Sequence, residues 1–162
     1  MTQVYLAFGS NLGDRVENIR RALDALAPDV RVLRVSPLYE TAPAYVTDQP
    51  RFVNGVLRAD TDLSPRDLLR HLKTIELKVG RTPAARFGPR LIDLDILFYG
   101  GDIVATRDIE IPHPRLAERL FVLRPLQDIA PDLVHPALGT TIATLHAALP
   151  DDPAMRRMDE IL

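Results

Sequence analysis

Two aspartates, Asp93 and Asp95, are the residues whose type and spacing point most directly to chemistry. Between and around them the chain alternates, with apolar residues at Ile92, Leu94, Ile96 and Phe98. A period of two is typical of a β-strand with one face in the core, so both carboxylates are expected on the other face, roughly 7 Å apart at Cα. A hard divalent cation such as Mg²⁺ would bind both carboxylates, together with substrate phosphates. The alternative interpretation is an edge strand with a solvated face.

Basic residues on both sides of this segment favour a ligand that carries phosphate. They are Arg81, Arg86, Arg90, His113, Arg115 and Arg119. A guanidinium group binds phosphate oxygens bidentately and keeps its charge. The chain contains neither G-x-x-x-x-G-K-[ST] nor G-x-G-x-x-G, so no glycine-rich phosphate loop is expected. Taken singly, each arginine is more simply a solvated surface residue.

A second group of residues has the character of a pocket for a flat heterocycle. It comprises Thr41, Pro43, Phe52, Asn54 and Phe121. An Asn side chain both donates and accepts hydrogen bonds, so it can bind the edge of a ring while Phe side chains stack on the faces. The alternative for Phe52 and Phe121 is packing in the core, where Phe is common.

Composition limits the classes of protein that this chain can represent. Its 162 residues, 46% apolar and 26% charged, suit one soluble domain spanning residues 1–162. The chain has no cysteine, which excludes disulfides, a thiol nucleophile and a thiolate zinc site. No membrane span or signal peptide is recognisable, so a cytoplasmic protein is expected. The net charge of −2 favours neither nucleic acid nor membrane partners, and nothing suggests an obligate oligomer, so a monomer is expected.

Local signals predict the elements that position these residues. Strands are expected at residues 4–8, 30–35 and 52–59, besides the acidic strand. The first helix begins after Asp14, which forms a capping box with Glu17, and ends at Pro28. The second helix lies between Ser64 as N-cap and Gly80 as C-cap.

The remaining segments complete the fold prediction. Loops are expected at residues 41–51 and 81–90, a hairpin at 103–111, a short helix starting within 111–115, a helix at 141–149 and a mobile polar tail from about residue 150. The order strand-helix-strand, repeated once, predicts an α+β fold: a ferredoxin-like αβ sandwich with a mostly antiparallel sheet. This fold hosts many functions, so function must be argued from the site.

Seven short motifs occur in a fixed order along the chain. They are Gly9-Ser-Asn-Leu-Gly13, Thr41-x-Pro43, Gln49-Pro-x-Phe-x-Asn54, Ile75-Glu-x-x-x-Gly-Arg81, Arg86-x-Gly-Pro-Arg90, Asp93-x-Asp95 and Pro112-His113. Each motif alone is weak, but together they resemble the 6-hydroxymethyl-7,8-dihydropterin pyrophosphokinase family of folate biosynthesis over residues 4–135.

The resemblance implies transfer of the pyrophosphoryl group of ATP to the pterin hydroxymethyl group, leaving AMP. It implies two Mg²⁺ ions held by Asp93 and Asp95. It also implies a set of contacts: Arg81, Arg90 and Asp95 in catalysis, Glu76, Arg86, Ile96, His113 and Arg119 at the nucleotide, and Thr41, Pro43, Phe52, Asn54 and Phe121 at the pterin.

Some residues depart from the family pattern. Residues 82–85 lack an arginine that many members carry, Phe87 stands where Trp is frequent, Pro114 replaces a Tyr found in some members, and Ala42 and Ala44 make the first loop smaller. We expect these differences to alter affinity or loop closure, not the type of reaction.

Two other classes of protein remain as alternatives. An RNA-binding module on a similar sandwich would need exposed aromatics and a basic surface, whereas this chain is 6% aromatic and slightly acidic. A non-catalytic nucleotide-binding regulator would keep the ATP site without a pterin pocket, so pterin binding distinguishes it from the enzyme.

Overall fold

The computed structural model describes residues 1–43, 48–80 and 91–162. The strands there are β1 (Thr2–Ser10), β2 (Val30–Val35), β3 (Tyr39–Thr41), β4 (Phe52–Thr61), β5 (Asp93–Tyr99), β6 (Val104–Ala105), β7 (Glu110–Ile111) and β8 (Arg156–Arg157). The helices are α1 (Arg15–Leu26), α2 (Pro65–Val79), α3 (Leu120–Ile129) and α4 (Ile142–Ala147), with a 3-10 turn at Leu116–Glu118.

One antiparallel sheet organises the molecule. Its strand order is β5-β1-β4-β3-β8, and β2 pairs with a further part of β4. Helices α1 and α2 cover one face with an apolar cluster that includes Ile19, Leu72 and Leu6. Helices α3 and α4 cover part of the other face with a second cluster around Leu123 and Phe98. The predicted α+β sandwich with a mostly antiparallel sheet is confirmed.

Local capping explains where the two long helices begin and end. The Asp14 side chain accepts a hydrogen bond from the Glu17 backbone at 3.2 Å, and Ser64 accepts one from Asp67 at 3.1 Å. Gly80 ends α2 with a φ of 110°, in the left-handed region that favours glycine. Both helix starts and the end of α2 are therefore confirmed.

A β-bulge corrects the predicted face of Phe98. Leu6 pairs with Ile96 while the adjacent Tyr5 pairs with Phe98, so Leu97 is an extra residue on β5. The expectation that Phe98 shares a face with Ile96 is wrong, because the bulge turns Phe98 towards α3. Its ring packs edge-on against Tyr5, with 6.1 Å between the centroids.

Three further predictions change with the structure. The loop expected from residue 41 begins one residue later, because Thr41 ends β3. The short helix expected near residue 115 is a 3-10 turn followed by the separate helix α3. The mobile polar tail is corrected as well: Arg156–Arg157 pair with β3, and Met155 is buried. A two-residue polar strand carries no local pattern, so only its partner strand defines it.

Candidate active site

The two aspartates lie at one end of the sheet, where β1 finishes and β5 begins. Asp93 pairs with Gly9 and Asp95 pairs with Ala7. Asp93 and Asp95 are both partly buried and share one face of β5, while Leu94 between them is buried on the other. This is the arrangement predicted from the alternation. Their partners on β1, Gly9 and Ala7, carry little or no side chain.

The electrostatic surroundings of Asp95 favour a bound cation. Burial, together with the negative charges of Asp93 and Glu76, raises the pKa of Asp95 to about 6, although Lys73 and Arg119 act in the opposite direction. Within the described ranges, no group of three or more His, Cys, Asp or Glu side chains could hold a metal by itself. A pair of carboxylates still suits Mg²⁺, which usually takes one or two carboxylates and completes its shell with water and substrate phosphates.

Glu76 fixes the strand that carries the aspartates. Its side chain is 2% exposed, and its Oε2 accepts a hydrogen bond from the backbone N–H of Leu94 at 2.9 Å. Lys73 Nζ lies 3.4 Å from the other carboxylate oxygen. Helix α2 thereby holds β5 at the residue between the two aspartates. The predicted contact of Glu76 with a nucleotide stays a prediction.

His113 lies close to the bulged part of β5 and is neutral at physiological pH. Its backbone N–H donates to the Leu97 carbonyl at 3.1 Å. Burial, with the positive charges of Arg119 and Arg115, lowers the pKa of His113 to about 4. Its Nδ1 accepts a hydrogen bond from the Arg115 backbone at 3.2 Å, so the proton lies on Nε2. His113 can therefore donate a hydrogen bond to a phosphate oxygen.

Arg119 and Phe121 come from the junction of the 3-10 turn and α3. The Arg119 guanidinium lies 5.6 Å from the centroid of the Phe121 ring, within cation–π range. Phe121 is half-buried at the rim of the second apolar cluster. Its ring is thus partly packed and partly available.

Asn54 and Thr41 form the other half of the site. The Asn54 Nδ2 donates to Thr41 Oγ1 at 2.7 Å. Asn54 on β4 pairs with Gly9 on β1. A Cβ at Gly9 would lie 2.5 Å from Asn54 Oδ1. Phe52, half-buried, pairs with Thr41. Asp93, Gly9 and Asn54 therefore form one row across three strands, about 10 Å long at the usual strand spacing.

The structure brings most of the predicted residues to this end of the sheet. Pro43 is half-buried two residues beyond Thr41. Ile96 differs: its side chain is buried in the first apolar cluster, on the opposite face of β5 from Asp95. Arg81, Arg86 and Arg90, with Phe87, lie outside the described residues, so their predicted roles are not tested.

Sequence reasoning missed the part played by Gly9. Gly9 belongs to the first of the seven motifs, but the motif does not show why a side chain must be absent at this position. The available signal was a glycine inside a strand, which often marks a close approach of another group. Sequence reasoning also missed Glu40, which lies on the reverse face of β3 and contacts three arginines.

Comparison with known proteins identifies the family. The profile of 7,8-dihydro-6-hydroxymethylpterin-pyrophosphokinase (HPPK) matches residues 5–131. The chain belongs to this family, as the resemblance predicted.

Relatives of two kinds support this assignment. The chain is 48% identical over 150 residues to the 2-amino-4-hydroxy-6-hydroxymethyldihydropteridine pyrophosphokinase of Pseudomonas aeruginosa, covering 91% of this chain and 92% of that protein. It is 47% identical over 148 residues to the folic acid synthesis protein FOL1 of Dictyostelium discoideum, covering 91% of this chain but 22% of that protein. It likewise spans only 18–28% of three further folate synthesis proteins.

A solved structure shares the fold. The Plasmodium falciparum HPPK-DHPS wild type with SDX-DHP superposes with a TM-score of 0.71 at 18% identity, over 91% of this chain and 43% of that chain. In the described part of this chain, no helix is long and apolar enough to cross a bilayer.

Proposed function

We propose that this chain transfers the pyrophosphoryl group of ATP to the hydroxymethyl group of 6-hydroxymethyl-7,8-dihydropterin, giving the pterin diphosphate and AMP. The observation that carries the proposal is the row of Asp93, Gly9 and Asn54, which places a carboxylate pair and a polar amide on one face of the sheet. Family membership supplies the reaction that such a pairing would serve.

The proposed reaction is a displacement at the β-phosphorus. The hydroxymethyl oxygen forms the new bond, the bond from the β-phosphorus to the oxygen shared with the α-phosphorus breaks, and AMP leaves with that electron pair. The hydroxyl proton passes to solvent as the new bond forms. Catalysis of such a step depends mainly on positioning and charge stabilisation.

Residues of this chain divide the work between the two substrates. Asn54 and Thr41 would bind the polar edge of the pterin, with Phe52, Phe121 and Pro43 against its ring. His113 would donate its Nε2–H to the triphosphate, and Arg119 would supply positive charge beside it. On the family pattern alone, we also propose that Arg81 and Arg90 act in catalysis and that Arg86 contacts the nucleotide.

The proposal includes Mg²⁺, two ions by the family pattern, held by Asp93 and Asp95. When bound, the metal would supply charge neutralisation to the triphosphate. The raised pKa of Asp95 supports this, because a cation between the two carboxylates would remove their repulsion. Residues of the chain would contribute the orientation and the exclusion of water.

Product analysis tests the proposal directly. Purified protein is incubated with ATP, Mg²⁺ and the reduced hydroxymethylpterin, and nucleotides and pterins are resolved by chromatography. We expect AMP and pterin diphosphate in equal amounts, and neither when EDTA is present. Formation of ADP would indicate ordinary phosphoryl transfer and contradict the proposal, and pterin-independent ATP binding without turnover would favour the regulator.

The same proposal carries the expectations of a monomer in the cytoplasm, without nucleic acid or membrane partners. Light scattering after gel filtration tests the first, with about 18 kDa expected from the chain mass of 18.1 kDa. Fractionation of cells tests the second.

A further inference from the structure

Glu40, a carboxylate on β3, is contacted by arginines from three separate parts of the chain. Its Oε2 lies 2.7 Å from Arg15 Nη2, at the start of α1. Its Oε1 lies 3.4 Å from Arg51 Nε and 3.7 Å from Arg156 Nη2. The Glu40 side chain is only 19% exposed, and the hydrogen bond from Arg15 is the main cause that lowers its pKa. Glu40 is therefore ionised and joins three separate parts of the chain to β3.

The segment just before β4 is held by the same network. Arg51 donates from Nη2 to the carbonyl oxygens of Glu40 and Ala154, and its own carbonyl accepts from Arg15 Nη1 at 3.1 Å. Asn11 donates from Nδ2 to Gln49 Oε1 and to the Pro50 carbonyl, both at 3.0 Å. The side chains of Asn11, just after β1, and of Arg15, in α1, thus fix this segment before β4 begins.

The network is placed directly behind the proposed pterin pocket. Glu40 precedes Thr41, and Arg51 precedes Phe52. Neighbouring residues of a strand point to opposite faces, so Glu40 faces α1 while Thr41 faces Asn54. The ion pair between Glu40 and Arg51 therefore joins the end of β3 to the start of β4, and the residues at the pocket project from these two strand ends.

We propose that Glu40 is a positioning residue for the pterin pocket, holding the ends of β3 and β4 so that Thr41 and Asn54 keep their alignment. We call the contacts of Glu40 with Arg15, Arg51 and Arg156 the clamp. The identity of the ligand rests on the proposed function, whereas the clamp is present in the ligand-free chain.

Removal of the Glu40 charge has a clear physical consequence. One carboxylate now offsets three guanidinium groups, and Glu40→Gln would leave those three cations facing one another with no anion between them. The arginines would separate towards solvent, and the ends of β3 and β4 would lose their common anchor. The shape of the Glu40 side chain is nearly kept, so the fold should persist.

The first test measures hydrogen exchange in the ligand-free protein. In Glu40→Gln, we expect the amides of Phe52, Val53 and Asn54 to exchange at least about tenfold faster, as loss of a charged hydrogen bond would allow. Asp60→Asn is the matched control: the Asp60 side chain is 21% exposed and pairs with Arg31 at 3.5 Å, near the other end of β4. Unchanged exchange at 52–54 in Glu40→Gln would overturn the inference.

A second variant keeps the test decisive if Glu40→Gln does not fold. Arg51→Lys retains the charge but loses the fork that reaches both Glu40 and Ala154, so the same local acceleration is expected at a smaller size. Absence of that acceleration in a folded Arg51→Lys protein also contradicts the clamp.

The third measurement separates positioning from general stability. In Glu40→Gln, we expect the KM for the pterin to rise about tenfold while the KM for ATP stays within about twofold. Glu40→Asp, which keeps the charge, should recover part of the loss. Equal losses for both substrates would reduce Glu40 to a structural residue. If the unaltered protein binds no pterin, the proposed function fails, and hydrogen exchange still decides whether the clamp exists.

Discussion

At Asp95, neighbouring charges and burial oppose ionisation, and this has a consequence for stability. The folded state keeps the proton up to a pKa of about 6, whereas an unfolded aspartate loses it near its ordinary value of 3.8. Ionised Asp95 therefore lowers the unfolding free energy progressively as pH rises from about 4 to 6, and the loss is complete above pH 6.

Replacement of Asp95 by the neutral isostere should therefore stabilise the metal-free protein. We expect Asp95→Asn to raise the unfolding free energy by about 1–3 kcal/mol at pH 7, with little difference below pH 4. His113 acts in the opposite direction, because its folded pKa of about 4 adds stability as pH rises to 6.5. The quantity to measure is thus the difference between variant and unaltered protein in urea unfolding with EDTA.

Asp95→Asn should also lose turnover in the presence of Mg²⁺. The substitution would then abolish activity while it raises the unfolding free energy. Asp60→Asn, outside the site, serves as the comparison. A stability difference that does not grow between pH 4 and 6 would show that Asp95 is not the destabilising group.

Asn54 provides a second prediction, on ligand selectivity. Asn54→Ala removes the amide that faces Gly9 and Thr41, so pterin affinity should fall about tenfold or more while ATP affinity changes less than about twofold. Isothermal titration with each ligand measures both values. Thr41→Val, which removes only the oxygen that accepts from Asn54, should give a smaller loss. Equal losses for the two ligands would instead indicate that Asn54 holds the fold.

At the scale of elements, replacement by alanine should affect different properties at two glycines in the paired strands β1 and β4. A Cβ at Gly9 meets Asn54 Oδ1 at 2.5 Å, at the end of a side chain that can move. A Cβ at Gly55 meets Phe8 Cζ at 2.4 Å, and Phe8 is buried. We expect Gly9→Ala to weaken pterin binding with little loss of stability. Gly55→Ala should lower the unfolding free energy by about 1–3 kcal/mol.

Thermal unfolding and pterin titration of both variants check this contrast. A Gly9→Ala protein that binds pterin normally would show that Asn54 has room to move without consequence. A Gly55→Ala protein of normal stability would contradict the close packing of β4 on Phe8.

Elements with local signals were the predictable ones. Helix α2 begins after Ser64 and ends at Gly80 as expected, because both caps depend on nearby residues alone. The shared face of Asp93 and Asp95 followed from the period of two. The bulge at Leu97 did not, because an extra residue in β5 is defined only by its pairing with β1.

Long-range contacts of the site were likewise beyond sequence reasoning. The bond between Glu76 and Leu94 joins residues 18 positions apart, and the contacts of Glu40 with Arg15 and Arg156 span even longer separations. Neither produces a periodic pattern, since each arises from how separate parts of the chain meet.

At the scale of the whole molecule, the C-terminal segment belongs to the folded unit. Met155 is 7% exposed, β8 extends the sheet, and the Met158 backbone N–H donates to the Leu38 carbonyl at 2.8 Å. We expect a chain ending at Pro150 to lose about 2–5 kcal/mol of unfolding free energy, as for removal of a buried Met side chain. A chain ending at Asp159 loses only exposed residues and should unfold as before. Urea denaturation of both chains tests this, and equal midpoints would contradict it.

The row of Asp93, Gly9 and Asn54 also sets a length. The gap between the carboxylate and the amide is spanned by the backbone of β1 and its hydrogen bonds to both neighbours, with no side chain contributing to it. A distance fixed by backbone hydrogen bonds between strands does not depend on side-chain rotamers. Point substitutions should therefore change this distance less than they would change one that is set by packed side chains. Residues at the rim can then vary in size and charge, and tune affinity, while the separation of the two ends stays the same.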